Sequence, residues 1–259
     1  MTPSGPAESG PDRRRKDVFA VIIPVFNHGS MVASVVEKAL ALDMPVIVVD
    51  DGTTDASIEP LDRFDNVEVL HHGSNQGKGE AILTGFERAA EFADWAVTMD
   101  ADGQHNPEDA ITLVQAIPDN TRSIMVGARQ GMSASHVPWS SRFGRTFSNF
   151  WVRLSGGPPI SDTQSGFRIY PLPESMALKT QAGGYQFELE ILVKAYWSGI
   201  PVIEAPVSVT YAQDGTRVSH FRPFVDFMRN ARTFSRLITY RLLIRPFSTR
   251  YINTTAKNR

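Results

Sequence analysis

The chain has 259 residues, room for one large domain or two small ones, and its 42% hydrophobic and 21% charged residues exclude disorder, collagen and a disulfide scaffold. With no cysteine there is no disulfide, no thiolate nucleophile and no cysteine metal site, a composition that fits a reducing compartment. The net charge of −2 is a sum of unlike parts: residues 17–220 carry 13 Lys/Arg against 25 Asp/Glu, and residues 221–250 carry seven Arg against the single Asp226.

Residues 1–16, rich in Pro, Gly, Ser and charge, cannot bury an apolar face and are expected to form a disordered tail. The basic run at its end precedes an apolar one, as in a secretory signal. Pro24 interrupts that apolar run, Asn27 and His28 end it and β-branched residues dominate it, so a buried strand over Val18–Pro24 is the better reading. No apolar run approaches the roughly 20 residues of a membrane-spanning helix. Short apolar runs then alternate with amphipathic ones: helix Ser30–Leu42, strand Pro45–Val49, strand Val67–His71, helix Lys78–Phe92, strand Trp95–Met99, helix Pro107–Ala116 and strand Ser123–Val126. This rhythm predicts an α/β fold with a mostly parallel central sheet and helices on both faces. Further on, the pattern predicts a helix over Ser140–Leu154, a break at Gly156–Pro159, a short strand Phe167–Tyr170, a helix Tyr185–Trp197 and a returning strand or hairpin over Pro201–Tyr211. There is no internal repeat and no linker long enough to separate two domains.

Ligands of open α/β sheets sit beyond the carboxyl ends of the strands, so the residues after each strand matter most. Asp50 and Asp51 can accept hydrogen bonds from a base N–H or a ribose hydroxyl, with Gly52 turning the chain behind them, or can serve only as turn and helix cap. After Trp95–Met99 come Asp100-Ala101-Asp102-Gly103-Gln104-His105. On an extended segment side chains at i and i+2 point the same way, so Asp100 and Asp102 should converge. Converging carboxylates repel unless a cation lies between them, and a hard oxygen site suits Mg²⁺ or Mn²⁺, which can bridge the two phosphates of a nucleotide diphosphate. A solvated acidic loop is the plain alternative. Gly73–Gly79 imitates a phosphate loop, but it is one residue short and has Gly79 in place of the Ser/Thr that would hold Mg²⁺. Ile82 replaces the third glycine of a dinucleotide fingerprint, so both P-loop NTPases and dinucleotide dehydrogenases are set aside.

Five ordered motifs, Val21–Asn27, Ile47–Asp55, Gly77–Ala81, Met99–His105 and Asp162–Arg168, resemble the family 2 glycosyltransferases, and most closely their polyprenyl-phosphate sugar transferase branch, over residues 18 to about 222. The resemblance implies a GT-A fold, a GDP- or UDP-linked sugar donor, Mg²⁺ or Mn²⁺ as cofactor, and inversion at the anomeric carbon. It implies Pro24 and Phe26 in the nucleotide pocket, with Phe26 where the family usually has Tyr and His28 where it commonly has Glu. Asp50 or Asp51 would hold the base or ribose, Lys78 and Ala101 would belong to the donor-binding set, and Asp100, Asp102 and Gln104 would surround the metal and diphosphate.

A hydroxyl acceptor needs a general base, whereas a phosphate acceptor is already anionic and needs positioning cations. Hydroxyl-using members of the family usually carry a Glu-Asp pair in the later helix. The corresponding stretch here is Phe187-Glu188-Leu189-Glu190, without the Asp, and Glu188 is the base only if the acceptor is a hydroxyl. Arg129, Arg142, Arg145, Arg168 and Arg217 recur where an acceptor phosphate would lie, though each equally suits a surface or ion-pair role. Arg129 and Arg217 are the favoured phosphate contacts, and Arg168 is expected to be structural, paired with Asp162 or Glu188.

From Phe221 to Leu242 apolar residues recur at helical spacing among arginines, the pattern of a basic amphipathic helix that lies on an anionic membrane or packs on the acidic body. The charge of the body argues against nucleic acid. The expectation is therefore a tail over 1–16, a GT-A domain over 17–220 and a membrane-surface segment over 221–259. Its activity would be an inverting, metal-dependent transfer of sugar from a nucleotide diphosphate to a lipid (polyprenyl) phosphate. The protein would be cytoplasmic and peripheral at the inner face of a membrane, held there directly or by a membrane partner protein. The alternatives are the same donor with a hydroxyl of a glycan or lipid, and a catalytically silent nucleotide-sugar-binding module.

Overall fold

A computed structural model of the chain describes residues 17–29, 31–130, 139–209 and 223–244. Seven strands, β1 (Phe19–Val25), β2 (Val46–Asp50), β3 (Val67–His71), β4 (Trp95–Thr98), β5 (Ile124–Arg129), β6 (Arg168–Pro171) and β7 (Val202–Val207), form one sheet in the order β3-β2-β1-β4-β6-β5-β7. Strand β6 runs antiparallel to both neighbours and every other pair is parallel. The helices are α1 (Met31–Leu40), α2 (Lys78–Ala89), α3 (Asp109–Gln115), α4 (Trp139–Leu154), α5 (Leu172–Met176), α6 (Phe187–Trp197) and α7 (Pro223–Thr239), the last continued by a π-helical turn at Tyr240–Ile244.

Strand β1 shows why the sheet is covered on both faces. Val21 and Ile23 enter one core with Val32 and Val36 of α1, and Ala20 and Ile22 enter the other with Phe86 of α2 and Ile191 of α6. All four β1 residues are fully buried, so a continuous apolar run replaces the alternation of a one-sided sheet. Pro24 is tolerated inside this central strand because pairing with β4 ends at Ile22↔Thr98, while pairing with β2 continues through Pro24↔Val49.

The structure differs from the sequence expectation in detail. Of the returning strand or hairpin expected over Pro201–Tyr211, the described residues show strand β7, parallel to β5, and residues 210–222 lie outside those described. The short helix α5 and a 3-10 turn at Glu59–Arg63 are additions, both too short to show a period. The expected tail at 1–16 also lies outside the described residues. Helix α7 packs on the body: Phe234 and Leu237 join Val152 of α4 and Leu189 and Val193 of α6 in a third cluster, and the Trp151 and Phe234 rings stack at 5.9 Å. Two turns before Phe234, Phe227 meets the Phe147 ring of α4 at 5.5 Å but remains partly exposed, as do Met228 and, on the π-helical turn, Leu242 and Leu243.

Candidate active site

The carboxyl ends of β1, β2 and β4 converge on one region. After β1 the chain turns through Asn27 and Gly29, both with positive φ, and is stitched to the loop after β2. Asn27 Oδ1 accepts the Thr54 N–H at 2.8 Å, and Ser57 Oγ accepts the N–H groups of His28 and Gly29 at 2.9 and 2.7 Å. Pro24 is buried in β1 and Phe26 half-buried just beyond it, at the mouth of this paired loop.

Asp50 and Asp51 divide their work. Asp51, buried, accepts the N–H groups of Gln76 and Gly77, each at 2.8 Å, and meets His72 Nδ1 at 2.7 Å. Its carboxylate thus holds the loop that leads into α2. Asp50 accepts the Thr53 N–H at 2.8 Å and faces His71 Nδ1 at 2.9 Å. Burial works to raise the Asp50 pKa, but the hydrogen bonds from His71 and Thr53 outweigh it and keep the carboxylate below its ordinary value.

The loop fixed by Asp51 delivers Lys78. Its Nζ lies 2.5 Å from Asp100 Oδ1 and 2.7 Å from Glu188 Oε1, in ion pairs whose side chains are 15% (Lys78), 27% (Asp100) and 8% (Glu188) exposed. Burial alone would lower the Lys78 pKa; the two carboxylates reverse that and raise it above its ordinary value, so the ammonium stays charged. For Asp100 burial acts upward, and Lys78 with the nearby histidines brings the pKa down to about 2. The result is a lysine bridging the end of β4 to the start of α6, with the Tyr185 ring 5.8 Å from the cation.

The segment that carries Asp102 departs from the sequence expectation. Beyond β4 the chain is not extended; it turns at 101–103, with Gly103 at φ 69°, and Asp102 Oδ1 accepts the Gln104 N–H at 3.1 Å. Ala101 is buried beneath the turn, and Gln104 and His105 are buried behind it. His105 lies among four charges, those of Asp100, Lys78, Arg129 and Asp162, and packs its ring against Phe167 at 5.2 Å.

The arginines sort differently from expectation. Arg129 forks onto Asp162, Nε to Oδ2 at 2.7 Å and Nη2 to Oδ1 at 2.9 Å, a bidentate pair on a fully buried carboxylate. Arg168 is structural but pairs with neither expected carboxylate. Since Asp162 is taken by Arg129 and Glu188 faces Lys78, the buried Arg168 guanidinium satisfies the carbonyls of Thr163, Ser165 and Glu188 instead. Arg145 is half-buried on α4, the Arg142 side chain is outside those described, and Arg217 lies outside the described residues.

Sequence reasoning missed Gly166 and the Gly183-Gly184 pair. Thr98 Oγ1 donates to the Gly166 carbonyl at 2.9 Å, bringing β6 against the end of β4, and Gly183 accepts the Glu80 N–H at 3.1 Å. The available signal was a glycine inside a motif and a glycine pair just ahead of a helix.

Among the described residues no three His, Asp or Glu side chains cluster to hold a metal unaided. The donor set of the Asp100–Asp102 turn nevertheless fits a hard divalent cation that takes one or two carboxylates and completes its shell with phosphate oxygens and water.

A mostly parallel sheet with one reversed strand, and an Asp-x-Asp turn at the end of its fourth strand beside an acid-paired lysine, fit a nucleotide-sugar transferase of GT-A fold. The chain belongs to glycosyl transferase family 2, whose pattern matches residues 20–172, and it is a glycosyltransferase. It is 28% identical over 215 residues to the UDP-N-acetylglucosamine–dolichyl-phosphate N-acetylglucosaminyltransferase of Methanococcus voltae, across 74% of this chain and 86% of that one. It is 29% identical over 215 residues to the polyprenol monophosphomannose synthase of Mycolicibacterium smegmatis, across 75% and 78%. Among solved structures, glucosyl-3-phosphoglycerate synthase from Mycobacterium tuberculosis, in complex with Mn²⁺, uridine diphosphate and phosphoglyceric acid, shares the fold with a TM-score of 0.64 at 19% identity, across 87% and 78% of the two chains.

Proposed function

We propose that the protein transfers a sugar, with inversion, from a nucleotide diphosphate to a polyprenyl phosphate at a membrane surface. The observation that carries the choice of acceptor is the Lys78–Glu188 ion pair at 2.7 Å. Glu188, the side chain that would serve as base for a hydroxyl, is committed to a buried ammonium. A phosphate oxygen needs no base: it attacks the anomeric carbon as an anion, forms the new C–O bond, and the bond to the nucleotide diphosphate breaks with its electron pair on the departing oxygen. Of the two relatives named above, one acts, by name, on dolichyl-phosphate and the other makes, by name, a polyprenol monophosphomannose, which supports a lipid-phosphate acceptor here.

Asp100 and Asp102, with Gln104 beside them, would hold Mg²⁺ or Mn²⁺, whose chemistry is to neutralise the charge that gathers on the leaving diphosphate. Lys78 offers a second, permanent positive charge at the same strand end, and Asp50 offers an acceptor for ribose or base. Asp51 acts indirectly by fixing the Gln76–Gly77 backbone. Arg129 and Arg217 are retained as acceptor-phosphate contacts, Arg129 through a guanidinium pre-oriented by Asp162.

Membrane contact is supported by the exposed apolar side chains of Phe150 and Leu154 on α4, Met228 on α7, and Leu242 and Leu243. No helix among the described residues is long and apolar enough to cross a membrane, and these side chains would serve a surface-lying contact. Glu188→Gln tests the acceptor reading. With a phosphate acceptor the variant keeps kcat within about tenfold, whereas loss of a true general base costs about 10²–10⁴-fold.

A further inference from the structure

Two residues beyond Glu188 on α6, Glu190 is fully buried, a costly place for a carboxylate to which the chemistry above gives no role. Its Oε2 accepts the backbone N–H groups of Gln181 at 3.1 Å and Ala182 at 2.9 Å, and Arg236 Nη2 of α7 at 2.7 Å. Arg236 Nη1 donates to Gln181 Oε1 at 2.7 Å, so one guanidinium grips both the carboxylate and the segment the carboxylate holds. Lys194 Nζ stands 2.8 Å from Glu190 Oε1, an ion-pair contact outside hydrogen-bond geometry, and donates to the Lys179 carbonyl at 2.7 Å. One buried carboxylate and two cations therefore fasten residues 179–182, and one of the cations comes from α7.

The next residues of that segment brace the start of α2. Gly183 O accepts the Glu80 N–H at 3.1 Å; a Cβ on Gly77 would lie 2.6 Å from Gly183 O, and one on Gly79 2.7 Å from Ala182 O. The two backbones approach closely here, with the Cβ of Phe187 also 2.6 Å from a Cβ built on Gly79, and Lys78 sits between the two glycines. A displacement of residues 181–183 is therefore passed directly to the residue that bridges Asp100 and Glu188.

We propose that Glu190 and Arg236 are positioning residues for the donor site. Through Gln181–Gly183 they hold the N-terminus of α2, and with it Lys78, in place, and they tie that placement to the docking of α7. The inference rests on the donor reading given above.

The test is titration of UDP and GDP, with Mn²⁺ present, into the full-length protein and its Glu190→Gln, Arg236→Gln, Arg236→Lys and Arg232→Gln variants, alongside donor KM and kcat. Glu190→Gln and Arg236→Gln are expected to weaken binding of the nucleotide that the wild type takes by about tenfold and to raise donor KM with a smaller effect on kcat. Arg236→Lys keeps a cation beside Glu190 but loses the fork and is expected to recover only part of the affinity, and Arg232→Gln, on an exposed position of the same helix, leaves it unchanged. If Glu190→Gln fails to fold, Arg236→Gln decides, because its side chain is 40% exposed and its loss leaves the core apolar contacts of α7 in place. Lowered thermal stability with unchanged nucleotide affinity and KM would make Glu190 a structural anchor alone and overturn the proposal. A wild-type protein that binds neither nucleotide with Mn²⁺ would instead remove the donor reading on which it stands.

Discussion

Gly166 and Asp100 lie so close that a Cβ added to the glycine would stand 2.7 Å from Asp100 Oδ2, and 2.8 Å from the Nζ of the Lys78 paired with it. The glycine is the wall against which the buried ion pair is set. Its own carbonyl is tied to Thr98 Oγ1, so the wall cannot easily retreat.

Gly166→Ala should therefore injure the site more than the fold. The atoms that must move are the ends of two flexible side chains, so the melting temperature is expected to shift by only a few degrees, while kcat/KM falls about tenfold to hundredfold as Lys78 and Asp100 part. Thermal unfolding alongside steady-state kinetics checks this. Unchanged kinetics would show that the pair is not part of the working site.

Lys78→Met leaves Asp100 and Glu188 facing one another without their shared counterion. Breaking a buried pair in this way typically costs about 3–5 kcal/mol, and the metal-free variant should melt correspondingly earlier. Because Mn²⁺ at Asp100 would supply the missing charge, the cation should raise the variant's melting temperature more than the wild type's. Equal increments would argue against Asp100 as a metal ligand.

Acid should weaken the metal-free protein through His105. Burial lowers its imidazole pKa to about 4, against an ordinary 6.5. A native state that stays neutral while the unfolded chain takes up a proton has its full stability above pH 6.5 and loses it as the pH falls toward 4. Over about 2.5 pH units that loss is on the order of 3 kcal/mol. Asp100, held at about 2, titrates below this window. Urea unfolding with EDTA at pH 7 and pH 4.5 should show the loss in the wild type and much less of it in His105→Gln.

Membrane contact is best tested by substitution, because removing α7 would also uncover the cluster that buries Phe234 and Leu237. Leu242→Glu combined with Leu243→Glu changes two exposed side chains and should sharply reduce co-sedimentation with anionic vesicles while leaving nucleotide affinity intact. Undiminished sedimentation would move the contact surface elsewhere on the molecule.

The central strands and the long helices were legible because their signals are local. Val67–His71 is bounded in the structure as the sequence predicts, and α2 begins at the predicted Lys78. The reversed direction of β6 was not legible, since four residues carry no mark of which neighbours they will join. The site divided in the same way. Asp100, Asp102 and Lys78 stand in motifs, whereas the partners of Arg129 and Arg168 depend on which of Asp162 and Glu188 the fold brings to each. Glu190 was visible only as part of the Phe187–Glu190 stretch, and its role was not legible because it depends on Arg236, 46 residues away on a helix whose docking side the sequence left open.

The most direct test of the account is to incubate the protein and Mn²⁺ with radiolabelled UDP- and GDP-sugars and either a polyprenyl phosphate or the matching polyprenol, and to follow label into the lipid phase. Transfer to the phosphate and none to the alcohol is the predicted result, with Glu188→Gln still active on the phosphate. Transfer to the alcohol alone, abolished by Glu188→Gln, would contradict it.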